Sequence, residues 1–377
     1  MDHPKDLTPA SKPSRNRVTK ASCNTVAARW NLKILRALES TLKKDPEADI
    51  ARLLPSTYSG QLQSLKSPET KPKPSFPSND IRSRLDATAQ SAIIFDLSSE
   101  LEDLRSGRDL SEALVDSLAE GEVLYESAWA ASVMVFRISE NIVVKVTDEA
   151  SAMTEHRTLS YLRERLPDFP APRPHGVVRL DTYFLLFSTF IQGVDLEKVW
   201  PQLDEGQKLA VSSQLDSLFS QLRALPFPDD TPLGGIQGDG CKDCRRGVRV
   251  SSEAIMDVGQ FEDFIFAGLN AASSLYADFL RSLMPLSSVC VFTHGDLRPA
   301  NIIVDTGDDG TWKVVAVIDW ESSGFYPEYW ECVKMTNNLT PRDQFDWYRY
   351  LPKSLAPHRY AIQWLVDRLR DRSMVNS

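Results

Sequence analysis

Apolar residues recur along this chain in two periods. From Asn24 to Lys44, Val26, Trp30, Ile34, Leu38 and Leu42 return at every fourth position, which predicts an amphipathic helix stopped by Pro46. Helical spacing returns in three later stretches. These are Asp109–Glu120 (Leu110, Leu114, Leu118, stopped by Gly121), Glu149–Leu166 (Leu159, Leu162, Leu166, stopped by Pro167) and Glu205–Leu225 (Leu209, Leu215, Leu218, Leu222, Leu225). Phe261–Leu283 reads as one further helix with Phe264, Ile265, Tyr276 and Phe279 in the core. Strand-like runs occupy Glu122–Ser127, Ser132–Ile138, Asn141–Val146 and Thr182–Phe190. Ile302–Val304 and Lys313–Ile318 are joined by the turn-rich stretch 305–310 and read as a hairpin, approached by the short apolar run Val289–Phe292.

A folded body begins near Ile93. Pro68, Pro72, Pro74 and Pro77 make the segment before it a linker or loosely tethered arm. The helix at 24–44 needs a surface for its apolar stripe, and docking on the body is the expectation. No internal repeat is evident.

Composition narrows the class. At 377 residues and 42% hydrophobic, the chain can build one large core or two small ones. Residues 1–80 carry fourteen Lys/Arg against eight Asp/Glu, about +6, which leaves about −15 on the rest. That balance argues against a nucleic-acid binder and is compatible with a cationic substrate. The five cysteines, Cys23, Cys241, Cys244, Cys290 and Cys332, are an odd set that fits a reducing compartment better than a disulfide framework. Cys241-Lys-Asp-Cys244 lacks the second Cys/His pair a zinc site requires. The apolar run Tyr183–Ile191 is too short to span a bilayer, and the N-terminus shows no signal-peptide core, so the cytoplasm is expected.

The chemistry concentrates in residues 292–321. His294, Asp296 and Asn301 stand in the spacing H-x-D-x-x-x-x-N, and Asp319 closes the apolar run of the hairpin's second strand. Phosphoryl transfer needs positioning and cations rather than covalent help from the protein. A carboxylate left free can orient a nucleophilic hydroxyl, while an amide and a second carboxylate offer hard oxygens to Mg²⁺. Upstream, Lys145 near the end of an apolar strand must find a partner for its ammonium, and Glu155 on the next helix is the candidate. The turn Ser127-Ala-Trp-Ala-Ala-Ser132 should cover phosphates with backbone N–H groups and the Ser132 hydroxyl, although it has no glycine. The connector Ile191-Gln192-Gly193 stands where an adenine would meet main-chain groups, which makes Thr189 and Ile191 candidate nucleotide contacts.

Taken together, His294-Gly-Asp-Leu-Arg-Pro-Ala-Asn301, Val317-Ile-Asp-Trp-Glu321 and Gly324-Phe-Tyr-Pro-Glu-Tyr-Trp-Glu331 resemble the aminoglycoside phosphotransferase and choline-kinase-like family, in its eukaryotic branch. The resemblance covers about Glu122 to Trp347. It implies an α+β, two-lobed protein-kinase-like fold with a small antiparallel-sheet N-lobe over 91–192, a mainly helical C-lobe over 193–377, and an N-terminal helical extension over 1–90. It implies ATP–Mg²⁺ transfer to a hydroxyl of a small molecule, with Asp296 as base and Asn301 and Asp319 as metal ligands. Lys145 would hold the phosphates, Glu155 would hold Lys145, and His294 would brace the loop. Arg298, where the family often has His, would reach the γ-phosphate or pair with a carboxylate such as Glu321. Ser188 and Thr189 stand where Met-Glu is frequent, so the base preference is open. Asp239 and Asp243 match a segment near the family's acceptor site. A nucleotide-binding pseudokinase-like module and a protein kinase are the alternatives. The intact Lys145, Asp296, Asn301 and Asp319 count against the first. The missing glycine loop and the absent A-P-E segment count against the second. The motifs leave the acceptor and the oligomeric state open.

Overall fold

Thr25 starts the first helix: its hydroxyl accepts the Ala28 N–H at 3.1 Å, and α1 runs over Val26–Leu42. The structure is a computed structural model and describes residues 25–55, 57–66, 75–105, 108–127, 133–244, 248–267, 273–307 and 310–375. The chain divides into two units, Met1–Ser75 and Phe76–Ser377. In the first, α1 is followed by the single turn α2 (Ile50–Leu53) and by α3 (Tyr58–Lys66). The stripe of α1 runs through buried Ala27 and half-buried Trp30, Ile34, Leu38 and Leu42, while Val26 is exposed. Part of that stripe finds its partner inside the unit. Trp30 stacks on Tyr58 with ring centroids 5.2 Å apart, and the Tyr58 hydroxyl donates to Asn31 Oδ1 at 3.0 Å.

The second unit begins earlier than the sequence suggests. Ile81 is fully buried in one core with Leu114, Phe136 and Val144, and Arg82 lies over the Phe76 ring at 4.2 Å. Residues 76–90 therefore belong to the body rather than to the extension. A lone Ile in a proline-flanked stretch carries no period by which a sequence reading could place it.

Six antiparallel strands form the main sheet: β1 (Ser91–Phe95), β2 (Glu122–Glu126), β3 (Met134–Arg137), β4 (Ile142–Thr147), β5 (Pro174–Leu180) and β6 (Tyr183–Thr189), in the order β1-β5-β6-β4-β3-β2. The sequence pattern finds four of them. β1 is short, and β5 opens on Pro174 and passes through Gly176, so neither stands out by composition. Side chains alternate across a strand. Ile142, Val144 and Val146 thus point into the core under α5 (Leu110–Glu120), which follows the short α4 (Glu102–Arg105). Lys145 points the other way, toward α6 (Glu149–Arg165).

Beyond Gln192 the chain becomes mainly helical. A short β7 (Val194–Asp195) and α7 (Leu196–Val199) lead to α8 (Glu205–Arg223), which a capping box of Asp204 and Gln207 starts. α8 buries Val211, Leu215, Phe219 and Leu222 in the largest core, beside Trp200, Phe292, Trp320 and Trp347, whereas Leu209 is exposed. A small β8 (Lys242–Asp243) and β9 (Arg249–Val250) pair follows. The stretch read as one helix over Phe261–Leu283 holds two, α9 (Val258–Phe266) and α10 (Ser274–Ser282). α9 ends on Ala267, before Gly268, and Ser273 caps a new start by accepting the Tyr276 N–H at 3.2 Å. The break turns Leu280 inward and leaves Phe279 exposed, the reverse of the expected core position.

The strands β10 (Cys290–Thr293), β11 (Ile302–Thr306), β12 (Trp312–Val317) and β13 (Gly324–Pro327) carry the motif residues, and α11 (Trp330–Met335) and α12 (Ala361–Val375) close the chain. β11 and β12 form the expected hairpin, with Ile302 opposite Val317, which returns Asn301 and Asp319 to one end. Among the described residues no helix is long and apolar enough to cross a membrane.

Candidate active site

β10 delivers the chain to His294, which is wholly buried. Its Nε2–H donates to the Ile318 carbonyl at 3.0 Å and its Nδ1 accepts the Asp296 N–H at 3.1 Å. Each ring nitrogen thus has one role, which specifies a neutral imidazole, and burial pushes its pKa down in the same sense. The ring stands edge-on to Trp320 at 4.5 Å. His294 therefore ties the loop after β10 to the end of β12.

A second anchor comes from α11. The buried Glu331 carboxylate accepts the His294 N–H at 2.6 Å and the Gly295 N–H at 3.3 Å. Gly295 has φ +82°, and a Cβ there would lie 2.4 Å from the Ser322 carbonyl oxygen, so only glycine fits.

Asp296 follows, two-fifths exposed. Its Oδ2 accepts from Asn301 Nδ2 at 3.0 Å and from Arg298 Nε at 3.2 Å. Burial and the charge of Asp319 push its pKa up, and the Arg298 guanidinium holds it back. Arg298 pairs with Asp296, while the Glu321 carboxylate pairs with Lys145.

On β4, the Lys145 ammonium lies 2.8 Å from Glu155, 2.5 Å from Asp319 and 2.8 Å from Glu321. Burial works against its charge, yet the three carboxylates outweigh that and hold its pKa well above the usual value. Burial also works to raise Asp319, but the Lys145 charge and hydrogen bond leave it below the ordinary range. Glu155 goes the other way, raised chiefly by burial, and its second oxygen accepts the Trp320 N–H at 3.3 Å. Asp319 has φ +69°, a left-handed conformation rare for a residue with a side chain, of the kind that concentrates at functional sites.

Asn301 Nδ2 is spent on the Asp296 carbonyl (2.9 Å) and carboxylate, which leaves its amide oxygen as the group to offer a cation. With the Asp319 carboxylate this is a hard-oxygen donor pair of the kind Mg²⁺ takes, so the residues fit the ion. The tight group of Glu155, Asp319 and Glu321 oxygens is already answered by the Lys145 ammonium between them.

Other candidates lie apart from this cluster. Ser132 falls outside the described residues. Thr189 ends β6; its N–H donates to the Arg173 carbonyl at 3.0 Å and its hydroxyl meets His175 Nε2 at 2.9 Å, so its donor groups are turned into the sheet. Ile191 follows, half-buried. Asp239 pairs with Arg157, and Asp243 is buried with Arg249 and Arg370 within 3.7 Å, which gives both acids protein partners. Sequence reasoning did not find Glu331, or Glu321 as a ligand of Lys145. Both lie inside the quoted motif stretches, and a charge flanked by Trp on an otherwise apolar run was the available signal.

The family model described as the phosphotransferase enzyme family, APH, matches residues 128–365. Among solved structures, the chain resembles the streptomycin–ATP ternary complex of APH(2'')-IIa at 13% identity and TM-score 0.44, over 73% of this chain and 86% of that one. It also resembles the aminoglycoside phosphotransferase APH(3'')-Id from Streptomyces rimosus at 17% identity and TM-score 0.42, over 71% and 96%. ADP-bound APH(2'')-Ib is similar at 16% identity and TM-score 0.42, over 73% and 86%. Among curated proteins nothing matches the chain.

Proposed function

Because the chain belongs to the phosphotransferase enzyme family, we propose that it transfers the γ-phosphoryl group of ATP, with Mg²⁺, to a hydroxyl of a small molecule. One observation carries the reading: Lys145 and Asp319, 174 residues apart, meet at 2.5 Å beside the Asp296–Asn301 pair. Asp296 is the base. Its carboxylate is fixed through one oxygen by Asn301 and is partly exposed, so it can orient an incoming hydroxyl and take its proton. Lys145, carried on a rigid central strand, presents a permanent cation to the nucleotide phosphates. Asn301 and Asp319 would hold Mg²⁺, which when bound neutralises triphosphate charge. His294 and Glu331 keep the Asp296 backbone in place and do not touch the reacting atoms. The acidic body is compatible with a cationic acceptor.

The test is transfer of label from γ-labelled ATP to a panel of hydroxylated amines, sugars and amino alcohols. Asp296→Asn keeps the shape and removes the base. Transfer should fall by roughly 10²–10⁴-fold while nucleotide binding persists. Full transfer by this variant would refute the assignment.

A further inference from the structure

A buried lysine outside the Lys145 cluster reaches the same two segments. Lys242 on β8 is 6% exposed. Its Nζ donates to the Ala150 carbonyl at 3.3 Å, to Thr154 Oγ1 at 2.9 Å and to the Glu321 carbonyl at 2.8 Å. An ammonium has three donors, and all three are used on neutral oxygens. Two of those acceptors lie in the first turns of α6, one residue and five residues before Glu155. The third is the backbone of Glu321, whose own carboxylate holds Lys145. Lys242 is itself anchored, since its N–H donates to the Tyr326 hydroxyl at 3.0 Å. Two further links run beside it: the Arg157–Asp239 ion pair, and the Thr158–Ser323 hydroxyl pair at 2.7 Å.

We propose that Lys242 is a positioning residue. It sets the spacing between α6 and the segment after Asp319, and so the geometry in which Lys145 meets Glu155, Asp319 and Glu321. This rests on reading that cluster as the nucleotide site. The physical argument is one of satisfaction. The Lys242 ammonium is buried and must be answered by acceptors, and it finds them on α6 and on the Glu321 backbone at once, so without it the two segments are no longer held by a common atom. The lysine lies in the Cys241–Cys244 stretch.

The experiment uses the full chain. Lys242→Met keeps the stem and removes the donors; Thr154→Val removes one acceptor with little change in volume and serves if the first variant folds poorly. Two quantities are read well below the melting temperature: MgATP affinity by calorimetry, and hydrogen exchange of the α6 amides. We expect affinity to weaken by roughly three- to thirtyfold, the span of coupling within one interaction network, and α6 to exchange faster than the C-terminal helices. In a Glu155→Gln background the loss should shrink, because Lys242 acts through the cluster that Glu155 belongs to. Unchanged affinity in the folded variant overturns the proposal, and so does an equal loss in the Glu155→Gln background. If the unaltered chain fails to bind MgATP, the nucleotide-site reading falls. The clamp is then judged on exchange alone, and unchanged α6 exchange overturns it.

Discussion

Replacing Lys145 with Met removes one cation from among three carboxylates. The Lys145 side chain is 13% exposed, against 8% for Glu155, 26% for Asp319 and 34% for Glu321. Glu155 therefore has the least water to fall back on and should bear most of the loss. At an effective dielectric of about 20, a unit pair at these separations gains about 6 kcal/mol before desolvation is subtracted. Removing one partner of a buried pair costs about 3–5 kcal/mol, because the other is left uncompensated. That corresponds to a melting temperature lower by roughly 5–8 °C for a unit that runs from Phe76 to Ser377. The pH dependence has a definite sign. Burial already raises the Glu155 pKa, and loss of the ammonium raises it further. The folded variant then binds a proton that the unfolded chain gives up, so its stability falls as pH rises from the ordinary carboxylate range toward the raised value. Below that range Glu155 is protonated in both states and its repulsion is relieved, so the deficit against the unaltered protein shrinks. Adding Glu155→Gln should recover part of the loss, with a coupling of about 1–3 kcal/mol in a double-mutant cycle. The assay is thermal melting with and without MgATP across pH. If Lys145→Met melts with the parent, or if Glu155→Gln adds an independent loss, the cluster is not held as described.

Three further outcomes follow from the loop that holds Gly295, Asp296 and Arg298. As the proposed base, Asp296 would have to be ionised to take a proton, and burial with the charge of Asp319 has raised its pKa, so transfer should fail with acid at a pH above the usual carboxylate range. Arg298→Met removes the opposing charge and should move that acid limb to higher pH, read from kcat/KM profiles; a limb that moves lower would contradict the Arg298–Asp296 pairing. Gly295→Ala places a methyl 2.4 Å from the Ser322 carbonyl at φ +82°, and should cost at least about 1–3 kcal/mol in backbone strain alone. Denaturant melts check it, and unaltered stability would mean that the loop is free to move away from Ser322.

Local order determined much of this protein and is legible in its residues. The heptad-like spacing of leucines, the stops at Gly121 and Pro167, and the hairpin that brings Asn301 back to Asp319 all depend on neighbours in the chain. The H-x-D-x-x-x-x-N spacing carried the loop of His294, Asp296 and Asn301 for the same reason, since its residues are bonded within a few positions of one another. Tertiary structure decided what local order could not express. Glu331 reaches back 37 residues to His294, Lys145 takes Glu321 as a third carboxylate across 176 residues, and Arg298 pairs with Asp296 rather than with Glu321. Phe261–Leu283 breaks into two helices where a new cap at Ser273 competes with continuing the first, and a hydrophobic period alone does not register that competition. Ile81 joins the sheet core, and Lys242 joins α6 to the segment after Asp319, through contacts with residues far away in sequence. A buried charge must be answered by whatever groups the fold brings within reach, so its partners are set by the packing of the whole chain and not by its neighbours in sequence.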